Sequence, residues 1–281
     1  MPHLHFTALD DAAWVSPWRH RAVLDKSLLA LGLILTALLA APVPGGLLVA
    51  AVAIACLLGP ARVPAGLLAA TMAAPMVFIV IGALTVAVAI GDPVVGAWWS
   101  WGPFSVGAAS MARAGGVMVH AIAGTLAVLV LATTTPMVDL VSSARKLRIP
   151  DAALEVAALI YRLVFVLLVT AVTVRRAQVA RLGDTPAPRP ERGWRGRSLA
   201  LRVENAGHAA GTVLVRSWAR AERLTDGLAG RGYTDSLRTL PVQRPRSVRF
   251  EITSALVVVA IWVVAIVYAH YTGGSALRSL T

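Results

Sequence analysis

Charged positions are spaced so as to leave long apolar blocks along the chain. No Asp, Glu, Lys or Arg occurs between Lys26 and Arg62, between Arg62 and Asp92, or between Arg113 and Asp139. A membrane-spanning helix needs about 20 mostly apolar residues, and in lipid only a helix or a closed barrel satisfies its own backbone. The blocks are rich in Leu, Ala and Val and lack the strict alternation of barrel strands. The pattern therefore predicts spans over 24–41, 47–59, 66–90 and 114–133, and a Val-rich span over 252–271 that ends in Tyr268 and Tyr271. Pro42, Pro44, Gly45 and Gly46 predict a tight turn after the first span, and Gly59, Pro60, Arg62 and Pro64 break the second. Residues 1–21 read as a polar segment at the membrane surface. Residues 91–110, with Trp98, Trp99 and Trp101 and no Lys or Arg, read as an interfacial loop.

The segment 152–174 is apolar enough to span but is interrupted by Glu155 and Arg162. Charge parity bears on its placement, because cytoplasmic loops carry the excess of Lys and Arg. Arg19, Arg21 and Lys26 place the N-terminus inside; two crossings return Arg62 to the inside, and four return Arg145, Lys146 and Arg148. If 152–174 also crossed, the Arg-rich stretch that follows would lie outside. The expectation is five crossings, with 152–174 dipping into or lying along the membrane and the C-terminus outside. Within the cytoplasmic stretch, Pro186, Pro188, Pro190 and the segment Gly193 to Gly196 mark a loop, and 198–229 reads as a long helix. Leu214, Trp218, Ala221, Leu224 and Leu228 fall near one face of it, and Arg216, Arg220 and Arg223 follow at i, i+4 and i+7 on another. Gly230 and Gly232 flank Arg231 where a helix ends and the backbone needs a positive φ.

Composition sharpens this picture. The 281 residues are 57% hydrophobic and 14% charged, too apolar for an ordinary soluble domain, and carry a net charge of +12. Residues 175–249 hold 16 Arg against 6 acids, so +10 of that charge sits in one segment. Such a block can meet anionic lipid, nucleic acid or an acidic partner, but no aromatic-interleaved nucleic-acid module accompanies it. Cys56 is the sole cysteine, which excludes an intrachain disulfide and a thiolate metal cluster. The N-terminus does not read as a secretory signal, since Asp10, Asp11 and Asp25 precede a run long enough to span. The only lysines, Lys26 and Lys146, lie outside any G-x-x-x-x-G-K-[ST] loop, so no standard phosphate cradle is present. There is no H-E-x-x-H, no G-x-S-x-G and no carboxylate pair within a span. His120 within the fourth span reads as a packed or hydrogen-bonded helix histidine, and His3 and His5 as an ordinary polar terminus rather than a metal site. No catalytic residue, metal ligand or cofactor follows.

Between Thr133 and Tyr233 a set of motifs occurs in order: Thr134-Thr135-Pro136, Asp139-Leu140, Leu147-Arg148-Ile149-Pro150, Tyr161-Arg162, Arg175-Arg176-Ala177 and Ala180-Arg181. Val215-Arg216-Ser217-Trp218-Ala219-Arg220-Ala221-Glu222-Arg223 follows, and Gly230-Arg231-Gly232-Tyr233 closes the series. Together they resemble the transmembrane T component of energy-coupling factor (ECF) transporters. The opening Ser16-Pro17-Trp18-Arg19, with Lys26 before the first span, resembles its CbiQ type, which serves cobalt or nickel uptake.

The resemblance implies a non-catalytic subunit of the cell membrane. It joins two ABC-type ATPases, which hydrolyse the ATP, to a substrate-binding membrane S component. Two short Ala-Arg-Gly motifs end the family's cytoplasmic coupling helices, and each arginine docks on one ATPase. By position these are Arg181 and Arg231, although here the motifs read Ala180-Arg181-Leu182-Gly183 and Gly230-Arg231-Gly232. The implied coupling set is thus Ala180, Arg181, Gly230, Arg231 and Gly232, with Arg216, Arg220 and Arg223 as further contacts. Arginine suits this work, because its planar fork binds a carboxylate bidentately and stays charged. The whole is expected to be an all-α integral membrane protein with about five transmembrane helices and long cytoplasmic coupling helices. It divides into a four-span membrane domain at 1–134, a cytoplasmic coupling-helix region at 135–250 and a C-terminal span at 251–281. The alternatives are a T component for a vitamin or other micronutrient, a lipid-binding structural protein, and a polytopic membrane enzyme built around His120 and Thr133–Thr135.

Overall fold

The structure is a computed structural model that describes residues 5–90, 97–101, 104–144, 149–180, 194–233 and 246–278. The chain forms two compact units, one from residues 1–143 and 242–281, the other from 144–241. It is an all-α membrane protein, with one small sheet among the described residues.

The first unit contains α1 (His5–Val15), α2 (Val23–Leu39), α3 (Leu47–Leu58), α4 (Ala65–Ala87), α5 (Ala108–Ala132), the short α6 (Met137–Ala144), which ends at the boundary, and α9 (Val248–Arg278). The helix α5 packs against α4, α2 and α3, and α9 packs against α2. Their shared core includes Leu29, Leu33, Val49, Leu57, Leu126, Val130 and Ile261. Large apolar side chains also cover the outside: Leu35 and Leu38 on α2, Phe78 and Leu84 on α4, and Leu256 and Ile266 on α9 are all exposed. Polar groups lie within, among them Asp25, Lys26, Thr36, Ser110 and Thr133–Thr135. Apolar surface of this extent suits lipid as its solvent.

Four described stretches are long and apolar enough to cross a membrane: Ala65–Ala87, Ala108–Ala132, Asp151–Ala180 and Val248–Tyr271. α2, of 17 residues, and the apolar stretch Pro42–Leu58 fall below that length. Asp151–Ala180 includes the segment that charge parity holds back from crossing, so length and composition do not by themselves reproduce the five-crossing count.

The turn at Pro42–Gly46, which contains a cis Val43–Pro44 bond, is built on close approach. A Cβ on Gly46 would come within 2.8 Å of Val119 Cγ1 on α5, and one on Gly45 within 2.6 Å of the Ala40 methyl. Glycine here lets the α2–α3 connection sit directly against its neighbours.

Several boundaries differ from the sequence reading. The segment 91–110 is not wholly loop: β1 (Ala89–Ile90), β2 (Ala97–Trp101) and β3 (Phe104–Gly107) form an antiparallel sheet in the order β1-β3-β2. Trp99 pairs with Val106 and Trp101 with Phe104, residue types that favour strands as well as interfaces. The fourth span starts at Ala108 rather than 114. Ser110, in the first turn of α5, reaches back to accept the Gly107 N–H at 3.0 Å, so the helix begins before Arg113. The N-terminal segment is more than a surface tail. Ser16 caps a short 3-10 turn at Pro17–His20, and Trp18 is buried in the core, edge-on to Phe250 at 5.2 Å.

The second unit contains α7 (Asp151–Ala180) and α8 (Trp194–Ala229). Gly196 lies inside α8 rather than in the preceding loop, because the helix starts at Trp194. At about 1.5 Å per residue, α7 and α8 run roughly 45 and 54 Å. They pair antiparallel: Gln178 Nε2 near the end of α7 donates to the Asn205 carbonyl at 3.1 Å, while Tyr233 after α8 reaches Glu155 near the start of α7. The half-buried stripe of α8 runs through Asn205, Ala209, Val213, Ser217, Leu224 and Leu228. Of the apolar face read from sequence, only Leu224 and Leu228 share that stripe, whereas Leu214 and Trp218 remain two-thirds exposed.

Candidate coupling surface

The helix α8 ends in a complete C-terminal cap. Gly232 has φ +75°, the left-handed conformation that glycine adopts without penalty. Its N–H donates to the Ala229 carbonyl at 3.0 Å, and the Tyr233 N–H donates to the Leu228 carbonyl at 3.0 Å. This pair of bonds is the Schellman arrangement, with Gly232 as the left-handed residue. Gly230 is the last residue before the turn, its N–H still donating to Asp226 in helical fashion at 2.9 Å. Arg231 therefore sits at the rim of the helix, exposed between two exposed glycines.

Arg216, Arg220 and Arg223 come together along α8. With Leu167 and Thr170 of α7 they line an open cleft of about 310 Å³. The Arg223 Nε donates to the Ala219 carbonyl at 2.9 Å, which holds that guanidinium along the helix. Arg231 stands eight residues beyond Arg223, roughly 12 Å further along the axis. Ala180 is the last residue of α7 and is exposed. Arg181, like Arg145, Lys146 and Arg148, lies outside the described residues. The predicted site is thus seen as one arginine triad and one capped helix end.

A family model described as a cobalt transport protein, CbiQ, matches residues 16–241. The chain belongs to the CbiQ family. The match starts at the Ser16 cap and runs through the whole of the second unit. The cobalt transport protein CbiQ of Rhodobacter capsulatus is 31% identical over 239 residues, covering 84% of this chain and 88% of that one. The protein of the same name from Salmonella typhimurium is 30% identical over 230 residues, 79% of this chain and 95% of its own. A chain from Methanocorpusculum labreanum, whose name describes a fused cobalt transport protein CbiMQ, is 27% identical over 250 residues, or 85% of this chain and 39% of the longer one. This CbiQ-family chain is therefore a multi-pass membrane component of a transport family.

Two polar groupings are absent from the sequence reading. In the first unit, Asp25 and Lys26 are not flanking charges but lie in the first turn of α2, fully buried. Lys26 Nζ donates to the Thr134 carbonyl at 2.8 Å, and Asp25 Oδ2 accepts the Ser247 N–H at the start of α9 at 3.0 Å. Arg246 Nε stands 4.0 Å from Asp25 Oδ1 and 3.2 Å from Glu251 Oε1. The Thr-Thr-Pro motif is thus held by lysine at the turn after α5, its Thr133 and Thr134 hydroxyls turned back to the Leu129 and Val130 carbonyls. In the second unit, the Tyr233 hydroxyl donates to buried Glu155 Oε2 at 3.2 Å. The available signal was a carboxylate or lysine bordering an apolar run, since such a group needs a partner. His120 is a structural histidine, its Nδ1–H donating to the Ala37 carbonyl. Among the described residues no three His, Cys, Asp or Glu converge as metal ligands.

Proposed function

We propose that this chain is the T subunit of an ECF-type importer, linking two ABC-type ATPases to a substrate-binding membrane subunit, with cobalt or nickel ions as cargo. The observation that supports it most is the end of α8. A long helix is closed by a tight glycine cap that leaves one arginine exposed at its rim, where a guanidinium can enter an acidic groove of another protein. The exposed apolar residues Leu214, Val215 and Trp218 beside the arginine triad add a surface suited to a protein partner. The cobalt transport names of the relatives favour a metal-ion importer over a vitamin importer. In this reading, residues 135–250 and the N-terminus are cytoplasmic, Arg181 docks on one ATPase and Arg231 on the other, and Arg216, Arg220 and Arg223 contribute beside them.

The test is co-purification of the ATPases with single and double arginine variants, alongside ion uptake. Where Arg231 is buried against a partner carboxylate, Arg231→Ala should cost about 2–5 kcal/mol, because that carboxylate is left unpaired. This corresponds to roughly 30-fold or more in affinity. Lysine should restore only part of it, keeping the charge and losing the fork. An Arg181→Ala, Arg231→Ala double variant with normal assembly and uptake would refute the assignment.

A further inference from the structure

We propose that Tyr233 and Glu155 form a strut that sets the direction of Arg231, which makes both of them positioning residues for coupling; the inference rests on the docking role proposed above for that arginine. The helix α8 has 36 residues, and its last turn is where a helix loosens most readily. The glycine cap fixes the path of the backbone through Arg231 but does not tie that end to anything beyond α8. Tyr233 supplies the tie. It occupies the position after the left-handed Gly232, donates its N–H back to Leu228, and sends its hydroxyl to Glu155 Oε2 at 3.2 Å, 78 residues earlier in the chain. Only Gly232 lies between it and Arg231, so the two are at most about 7 Å apart along the backbone. Anchoring one leaves the other little room to swing.

Glu155 is suited to be the fixed end. It is 7% exposed, next to the equally buried Leu154, near the start of the otherwise apolar α7. A carboxylate held in such surroundings needs donors, and bonds to a charged acceptor are the stronger kind. Tyr233 is 40% exposed, so removing its hydroxyl removes the bond without opening the core. Without the strut, the end of α8 is oriented for docking only part of the time, and apparent affinity falls by that fraction. A hydrogen bond to a charged group is strong enough to make the loss about tenfold.

The experiment titrates the ABC-type ATPase of the host's cobalt importer onto the detergent-solubilised full chain. The set is wild type, Tyr233→Phe, Arg231→Ala and the double variant. Tyr233→Phe should weaken binding about tenfold in the wild-type background and add nothing once Arg231 is alanine, because positioning matters only while there is an arginine to position. Uptake per ATP hydrolysed should fall with Tyr233→Phe as well. Wild-type affinity for Tyr233→Phe, or an equal loss in the Arg231→Ala background, overturns the strut and leaves the coupling role of Arg231 intact. Wild-type affinity for Arg231→Ala overturns that coupling role and the strut with it. Glu155→Gln, which keeps an oxygen for the phenol, should lose less than Tyr233→Phe. An equal or larger loss would assign the effect to the buried charge and overturn the strut.

Discussion

Asp25→Ala removes a carboxylate that caps α9 from 222 residues away. Asp25 is fully buried, and its Oδ2 accepts the N–H of Ser247, the residue before α9 begins. A hydrogen bond to a charged acceptor is worth about 1.5–3 kcal/mol. A carboxylate at a helix N-terminus adds about 0.3–1 kcal/mol. These terms overlap, so Asp25→Ala should cost about 2–3 kcal/mol. Asp25→Asn keeps an oxygen for Ser247 and loses only the charge, about 1 kcal/mol. Arg246→Ala should cost the least, about 0–1 kcal/mol, because that side chain is 60% exposed and 4.0 Å from the carboxylate. Thermal unfolding in detergent, followed by tryptophan fluorescence, reads the order. Trp262 lies on the same α2–α9 contact, its Nε1–H donating to Thr36 at 3.1 Å. For Asp25→Ala the midpoint should drop by roughly 4–12 °C. An unchanged midpoint would refute the capping role, and an Asp25→Asn loss equal to that of alanine would place the effect in charge rather than in the bond.

Other outcomes follow from glycine packing, chemistry and topology. Gly45→Ala should destabilise by about 1–3 kcal/mol in the same assay, since its new methyl would meet the Ala40 methyl at 2.6 Å. Gly82→Ala in α4, with nothing within 4 Å, should be neutral or gain up to about 1 kcal/mol from helix propensity. The purified chain alone should neither bind nor hydrolyse ATP, for want of a phosphate loop; hydrolysis well above background by ATPase-free protein would refute this. Cysteines introduced at 190–197 in a Cys56→Ala background should be labelled only from the cytoplasmic side, and those at 274–281 only from outside. Outside labelling of 190–197 would reverse the five-crossing proposal.

The parts legible in the sequence are those whose signals are local. The end of α8 is one, because Gly230-Arg231-Gly232 places a helix stop and a left-handed residue within three positions, and Gly232 has that conformation. The long helices are another, since each apolar run declares itself. Asp25 and Lys26 are harder to read, because their partners lie 222 and 108 residues away and nothing near them distinguishes a buried pair from flanking charges. The open face of α8 is only partly legible. Periodicity groups Leu214 and Trp218 with Leu224 and Leu228, but the stripe that becomes half-buried is rotated toward small and polar residues such as Ala209 and Ser217. The strands at 97–107 escape notice because Trp, Val and Phe serve an interfacial loop and a strand equally well.

The seam between α2 and α9 also sets a timetable for biogenesis. The helix that seals Asp25 is made only after the whole second unit has been synthesised, 222 residues after Asp25 itself. At about 5–20 residues per second, α2 waits roughly 11–44 s with that flank open. During this interval Thr36 lacks the indole of Trp262, and Gly32 lacks its neighbour Val258. A nascent chain cut off before α9 carries every residue of the second unit and yet an unfinished first one, with Asp25 and Thr36 short of their α9 partners.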